Sequence, residues 1–141
     1  MRFSLVGKKI SLHLASAFVS FLTSGLVIGC PDLSRFYELL DESPSSLQAE
    51  LYTLLEQCSE NSEYFALLGA SQLADGDLLQ ALENLELALL IDPDSGAAAV
   101  DYAEVLYRQG QILSALEINE QIMTREDLPE ALKSALVSRQ R

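Results

Sequence analysis

The sequence predicts an all-α protein built from antiparallel helix hairpins, and two observations support this prediction. First, the chain resembles itself at an offset of 34 residues, because residues 76–83 and 110–117 are identical at five of eight positions. Second, leucines recur at the i, i+4, i+7 and i+11 spacing of a buried helical stripe, as Leu78, Leu82, Leu85 and Leu89. Beyond the N-terminal leader, no stretch alternates apolar and polar residues as a half-buried strand would.

Small residues and chain breakers divide each repeat into two helices. Gly76 lies between two apolar stretches and predicts a tight turn with a positive φ angle, as does Gly110 in the second copy. Gly69 and Ala81 predict a close approach of two antiparallel helices, since large side chains would hold the axes apart. Pro93 predicts the end of the second helix because it lacks the N–H that a helix interior needs.

These residues resemble the tetratricopeptide repeat pattern, whose period is 34 residues. The first copy carries Leu68-Gly69, Gly76, Ala81, Leu85, Ala88-Leu89 and Pro93 at the matching positions. The second copy is looser and carries Tyr102-Ala103, Leu106-Tyr107, Gly110, Ala115 and Ile122-Met123, with Asn119 in place of the usual aromatic residue. The resemblance implies a right-handed superhelix of helix hairpins that binds other proteins and has no catalytic role.

Flanking helices are expected because two repeats rarely suffice for stability. Upstream, one apolar stripe runs from Leu33 to Leu40 and another from Leu47 to Leu55, with a turn and N-cap cluster at residues 41–46 between them. Downstream, Asp127 and Glu130 form a capping box that opens a last helix. The predicted helical domain, residues 30–141, comprises a divergent hairpin at 31–60, repeats at 61–94 and 95–128, and a capping helix at 129–141. These elements make seven helices.

The N-terminal residues 1–29 are predicted to be a signal peptide or a membrane anchor. Arg2, Lys8 and Lys9 precede a stretch, residues 10–31, that has no charged side chain apart from His13 if protonated. A secretory signal has this order of parts, and the length also approaches that of a membrane-spanning helix, which takes roughly 20 residues. Serine and threonine residues dilute the apolar stretch and make a permanent span less favourable.

The end of the leader, Val27-Ile28-Gly29-Cys30, resembles the lipobox of bacterial lipoproteins. The resemblance implies that Cys30 is the lipidation site. The alternative is an uncleaved anchor helix in which Cys30 is a small apolar residue. If Cys30 carries a lipid as a thioether, Cys58 has no partner within the chain. Cys58 is then expected to be a small buried apolar residue, and no disulfide framework is expected.

Composition argues against several classes of function. The formal net charge is −12 and all 21 acidic residues lie at or after Asp32, so nucleic acid and anionic lipid headgroups would repel the chain. No His/Cys cluster suits zinc, and no glycine-rich loop suits a phosphate. Asp75-Gly76-Asp77 and Asp92-Pro93-Asp94 are interpreted as turns and caps rather than calcium loops. No enzyme activity, cofactor or metal is predicted.

A partner-binding groove is expected on the first helix of each hairpin, as the family resemblance implies. The candidate residues in the two copies are Glu63, Ala66, Ala70, Leu73, Ala74, Ala97, Val100, Glu104, Tyr107 and Arg108. Leu73 and Tyr107 are expected to be apolar residues on an open surface. The alternatives are that the small residues serve only helix packing, and that Leu73 and Tyr107 are packed under a neighbouring helix. The expected partner is an amphipathic segment, or an extended one carrying Lys or Arg.

Combining both halves of the chain predicts a lipid-anchored scaffold on the periplasmic face of a bacterial envelope, at the inner or the outer membrane. It would help to assemble a multiprotein machine such as a pilus, a secretion system or a polysaccharide exporter, a step that rests on family analogy. The alternative is a structural subunit of a membrane complex, held there by an uncleaved N-terminal helix. A third class, an enzyme, lacks a catalytic constellation in the sequence.

Overall fold

The computed structural model describes residues 29–126, 129–130 and 133–134. Within these residues the protein is all-helical, with seven helices and no strand. The helices are α1 (Phe36–Glu42), α2 (Pro44–Tyr52), α3 (Leu55–Cys58), α4 (Ser62–Asp75), α5 (Leu78–Ile91), α6 (Gly96–Arg108) and α7 (Ile112–Met123). The leader, and with it the predicted signal or anchor, lies outside the described residues, as does most of the predicted capping helix.

The repeats form two helix hairpins, α4 with α5 and α6 with α7. Gly76 ends α4 at φ 84°, and Gly110 has φ 81° in the second turn, so the predicted positive φ angles are confirmed. The N–H of Asp77 donates to the Gln72 carbonyl, which closes the end of α4 with a Schellman-type bond. The next helix starts at once, because the Asp77 side chain accepts a hydrogen bond from the backbone N–H of Gln80.

The two helices of the first hairpin cross closely at Gly69. A Cβ atom at this position would lie 2.6 Å from Cγ of Leu85 and 3.2 Å from the backbone oxygen of Ala81. Ala81 and Leu85 are fully buried, so α5 fills the space that Gly69 leaves open. The predicted close approach is confirmed, and the second hairpin keeps it with buried Ala103 and Ala115.

The N-terminal hairpin differs from the prediction at both of its connections. The expected turn at residues 41–46 shrinks to Ser43 alone, because α1 continues to Glu42 and Pro44 is a favourable first residue for α2. The second apolar stripe, expected as one helix, breaks after Tyr52 into α2 and the single-turn α3. The Thr53 hydroxyl donates to the Glu50 carbonyl at this break, an interaction that competes with continued helix. Leu55, beyond the break, is exposed.

A buried polar network joins α2, α4 and α5. Gln72 is almost fully buried, and its amide nitrogen donates to the Tyr52 hydroxyl over 3.2 Å and to Oε1 of Gln80 over 3.4 Å. Its amide oxygen accepts a hydrogen bond from Nδ2 of Asn84 at 2.8 Å. Because both ends of the amide have partners, this buried polar side chain carries no uncompensated desolvation cost.

None of the helices in the described part of the chain combines the length and apolar character needed to cross a membrane.

Candidate functional site

The first helices of the hairpins form one continuous inner layer, because α4 packs against both α1 and α6. The second helices are spread apart, since α5 and α7 each pack on α6 rather than mainly on each other. Because the first helices pack side by side and the second helices lie farther apart, the stack is curved. The inner layer therefore lines the concave side of the stack. The predicted groove residues all lie on α4 and α6 and therefore belong to this layer.

Most of the predicted groove residues are accessible on the inner layer. The exposed ones are Glu63, Ala74, Ala97, Tyr107 and Arg108, and the half-buried ones are Ala66, Ala70 and Glu104. Tyr107 is 55% exposed, which makes it the largest accessible apolar surface among these candidates. The inner layer thus presents half-buried Ala66 and Ala70 and an exposed aromatic ring, Tyr107, at the C-terminal end of α6.

Two of the predicted groove residues are core residues, and the expectation of an open surface is wrong for them. Leu73 is only 6% exposed and Val100 only 3%. Leu73 belongs to the main core, and α6 packs along α4 so closely that Arg108 reaches the Leu73 carbonyl. Val100 packs with Ala99 and Ile122 in a smaller cluster under α7. Both face the junction of helices, where apolar burial is favourable.

The charged groove candidates have partners within the protein. Arg108 donates from Nε to Oε1 of Glu104 at 2.7 Å and from a terminal guanidinium nitrogen to the Leu73 carbonyl at 3.3 Å. Glu104, expected to attract basic groups, is therefore already paired with a cation. Glu63 accepts a hydrogen bond from the Tyr37 hydroxyl at 2.9 Å, which leaves its negative charge uncompensated by this neutral partner.

Tyr37 lies next to the predicted groove but was not among the residues predicted for it. It lies on α1 beside Glu63 and is 47% exposed, although the sequence placed it in a buried stripe. Partial burial, followed by the hydrogen bond and charge of Glu63, raises the pKa of Tyr37 to about 12. The phenol thus stays neutral and donates to Glu63 across the physiological range. The one signal for Tyr37 in the sequence was that α1 is the first helix of a hairpin, because the groove was expected on the first helices.

Cys30 and Cys58 form a disulfide, with their Cα atoms 4.6 Å apart. Cys58 is fully buried as predicted, but the expectation that the chain has no disulfide is wrong. Both cysteines pack with Leu33 and Phe36 in the main core, which brings the thiols together although 28 residues separate them. A sulfur atom in a disulfide cannot also carry a lipid thioether, so the disulfide and the lipidation predicted for Cys30 exclude each other.

The acidic residues of the described part of the chain occupy turns and exposed faces. Asp77 caps α5, and Asp92 accepts a hydrogen bond from the N–H of Asp94, as the turn interpretation predicts. Glu83 and Glu117 are exposed on the outer helices. Among the described residues, no group of three or more histidine, cysteine or acidic side chains is placed to hold a metal ion.

Comparison with known families agrees with the repeat pattern. Residues 72–137 match the model of the tetratricopeptide repeat family, a segment that takes in the end of α4 and all of α5, α6 and α7. This family usually supplies non-catalytic scaffolds for protein–protein interaction. No curated protein sequence matches the chain.

Proposed function

We propose that this protein is a scaffold of an extracytoplasmic assembly and binds a segment of another protein in the groove of α1, α4 and α6. The exposed ring of Tyr107 carries the proposal, because an aromatic side chain left in water on a concave surface contributes little to folding and suits a partner's apolar residue. The repeat match between residues 72 and 137 supports a protein as the partner.

The chemistry of the groove indicates what the partner segment carries. Tyr37 and Tyr107 offer apolar surface, and Ala66 and Ala70 leave room for side chains between them. Glu63 supplies a negative charge that a Lys or Arg of the partner can pair with, whereas Glu104 is already held by Arg108. An amphipathic helix or an extended segment with one basic residue near Glu63 fits these features best.

The Cys30–Cys58 disulfide supports a location in an oxidising compartment, since cytosolic proteins seldom keep such bonds. This agrees with a basic and apolar leader that exports the chain across a bacterial inner membrane. In the disulfide form, the protein would stay at the membrane through a retained N-terminal helix, as a subunit of a membrane complex. A lipid anchor on Cys30 requires that the disulfide does not form. The machine served, whether pilus, secretion system or polysaccharide exporter, belongs to the same proposal.

Site-specific photo-crosslinking tests the groove. A photoreactive residue in place of Tyr107 should crosslink to a defined envelope protein, and Glu63→Lys should lower the yield by weakening attraction of the basic partner. The same probe at exposed Glu56 on α3 is the control. Equal products from positions 107 and 56, or a yield that ignores Glu63→Lys, would rule out the groove.

Intact-mass measurement of membrane-extracted protein tests the anchor. A chain that keeps its leader and gains two hydrogens on reduction supports the retained helix with the disulfide. A chain that begins at Cys30, carries lipid and has a freely alkylated Cys58 supports the lipoprotein instead. The thiol state of Cys58 thus distinguishes the two arrangements independently of the leader.

A further inference from the structure

The outer side of the stack carries a second groove, distinct from the concave one. Because α5 and α7 spread apart on α6, a channel opens between them with α6 as its floor. Leu89, Ala99, Tyr102, Ile118 and Ile122 line this channel, with Pro93 and Arg125 at one end. The channel is therefore mainly apolar, and every residue of its lining differs from the residues assigned to the concave groove.

A leucine-rich face of α5 lies beside the channel, because Glu86 on this face accepts a hydrogen bond from Tyr102 of the channel lining. Leu87 and Leu90 lie with Glu83 and Glu86 around a shallow depression, and Leu90 is 78% exposed. Leu79, two turns before Leu87 on the same helix, is 66% exposed. Apolar side chains this open, grouped on one face, are uncommon unless another molecule covers them.

The charge of this face of α5 indicates which class of molecule binds to it. Helix α5 contains no Lys or Arg, and Glu86 accepts a hydrogen bond only from the neutral Tyr102 hydroxyl among the bonds of the described residues. The basic residues of the described part of the chain are held elsewhere: Arg35 with Glu50, Arg108 with Glu104, Arg125 with the Asp94 carbonyl, and Lys133 with Glu130. A second copy or an anionic membrane would add like charge to Glu83 and Glu86.

We infer that the outer groove between α5 and α7, together with the leucine-rich face of α5 beside it, binds an amphipathic helix of a second protein. Leucine-type side chains of that helix contact Leu87 and Leu90, and a Lys or Arg pairs with Glu83 and Glu86. From Glu83 on the leucine-rich face to Pro93 at the end of the channel, this surface is about 15 Å long, the length of about three helical turns. The inference goes beyond the proposed function, because a protein with partners on both faces bridges two components rather than holding one.

A synthetic peptide probe tests this site on the whole folded chain. The probe is an amphipathic helix of about three turns with leucines on one face and flanking lysines, and its matched control carries glutamates in place of the lysines. We expect the lysine peptide to bind and to shift the backbone amide NMR signals of α5 and α7. The glutamate peptide should bind at least about tenfold more weakly.

Variants of the chain locate the binding. Leu90→Asp and Glu83→Lys, both at exposed positions, should each weaken the lysine peptide about tenfold or more while leaving the helical spectrum unchanged. Glu56→Lys, which makes the same charge change on α3, should lower the affinity for the lysine peptide only slightly, through the change in net charge. Glu63→Lys in the concave groove should also leave this binding intact. The proposal for the concave groove and the inference for the outer groove are therefore tested independently.

Five outcomes would overturn the inference. Equal binding of the two peptides would remove the role of charge, and indifference to Leu90→Asp would remove the site. Signal shifts confined to α4 and the inner face of α6 would assign the peptide to the concave groove. Dimers in light scattering that Leu90→Asp abolishes, or binding to phosphatidylglycerol vesicles through the same residue, would replace the protein partner with a second copy or a membrane.

Discussion

At the scale of single residues, the contact of Gly69 with Leu85 shows how two repeats of one pattern solve the same packing problem differently. In the first hairpin a glycine admits a leucine, whose Cγ lies only 2.6 Å from the place that a Cβ of residue 69 would take. One period later the equivalent residues are Ala103 and Asn119, so alanine takes the place of the glycine and the smaller asparagine takes the place of the leucine. The side-chain volume at these positions is therefore divided differently between the two helices in each repeat.

Gly69→Ala should destabilise the protein by about 1–3 kcal/mol, because the added methyl group overlaps Leu85 in a filled core. Urea denaturation measures the loss. Leu85→Ala provides the space, so in that background the same substitution should cost much less and gain helix propensity. Equal effects in both backgrounds would show that the helices do not meet as described.

The partial burial of Tyr37, together with its hydrogen bond to Glu63, makes part of the stability pH-dependent. Its folded pKa, about 12, lies above the ordinary value near 10. The folded state therefore holds the phenolic proton more tightly, and its contribution is complete below pH 10 and is lost as the pH rises towards 12. Wild type should lose more stability than Tyr37→Phe over this interval in chemical denaturation. Parallel loss in both proteins would remove Tyr37 as the cause.

At the scale of secondary-structure elements, the repeat hairpins were predictable and the N-terminal hairpin was not. Gly76 and Gly110 mark turns through backbone conformation, which is a local property that the sequence reveals. The break between α2 and α3 depends on a Thr53 hydroxyl competing for one carbonyl, a balance that apolar spacing does not record. The pairing of Cys30 with Cys58 depends on how α1 and α3 pack, so cysteine counting could not find it.

The disulfide should stabilise the N-terminal hairpin by restricting the unfolded chain. The closed loop of about 30 residues corresponds to about 3–4 kcal/mol in the chain-entropy model. Cys58→Ser and Cys30→Ser should each lower the melting temperature, and the double variant should add little to either. Adding reductant should lower the melting temperature of wild type to that of the variants. If reductant leaves wild type unchanged, the bond is absent from the folded protein.

At the scale of the whole molecule, Leu73 and Tyr107 show where a sequence repeat stops being a structural repeat. They are equivalent by period, yet one is core and the other is on the surface. The reason is position in the stack: α6 packs along α4 and covers Leu73, whereas Tyr107 lies at the end of the last hairpin described. Periodicity predicts the type of contact at each position, but only the order of the helices determines which contacts are occupied.

Leu73→Ala and Tyr107→Ala should therefore have different effects. Leu73→Ala removes buried volume and should cost about 2–5 kcal/mol, whereas Tyr107→Ala, at an exposed position, should change stability by about 0.5 kcal/mol or less. Thermal melts of both variants provide the comparison. Similar losses for the two would show that Tyr107 is also packed, and the concave groove would lose its aromatic residue.

The Gln72 network has a consequence for how the hairpins find their places during folding. One period later, the counterpart of Gln72 is the buried Leu106, so the two repeats present chemically different surfaces at the same position. Docking α2 against the second hairpin would leave the Tyr52 hydroxyl opposite a leucine and would remove one of the two acceptors of the Gln72 amide nitrogen. The two hairpins are therefore not interchangeable, and the Gln72 amide favours the order in which α2 docks on the first hairpin.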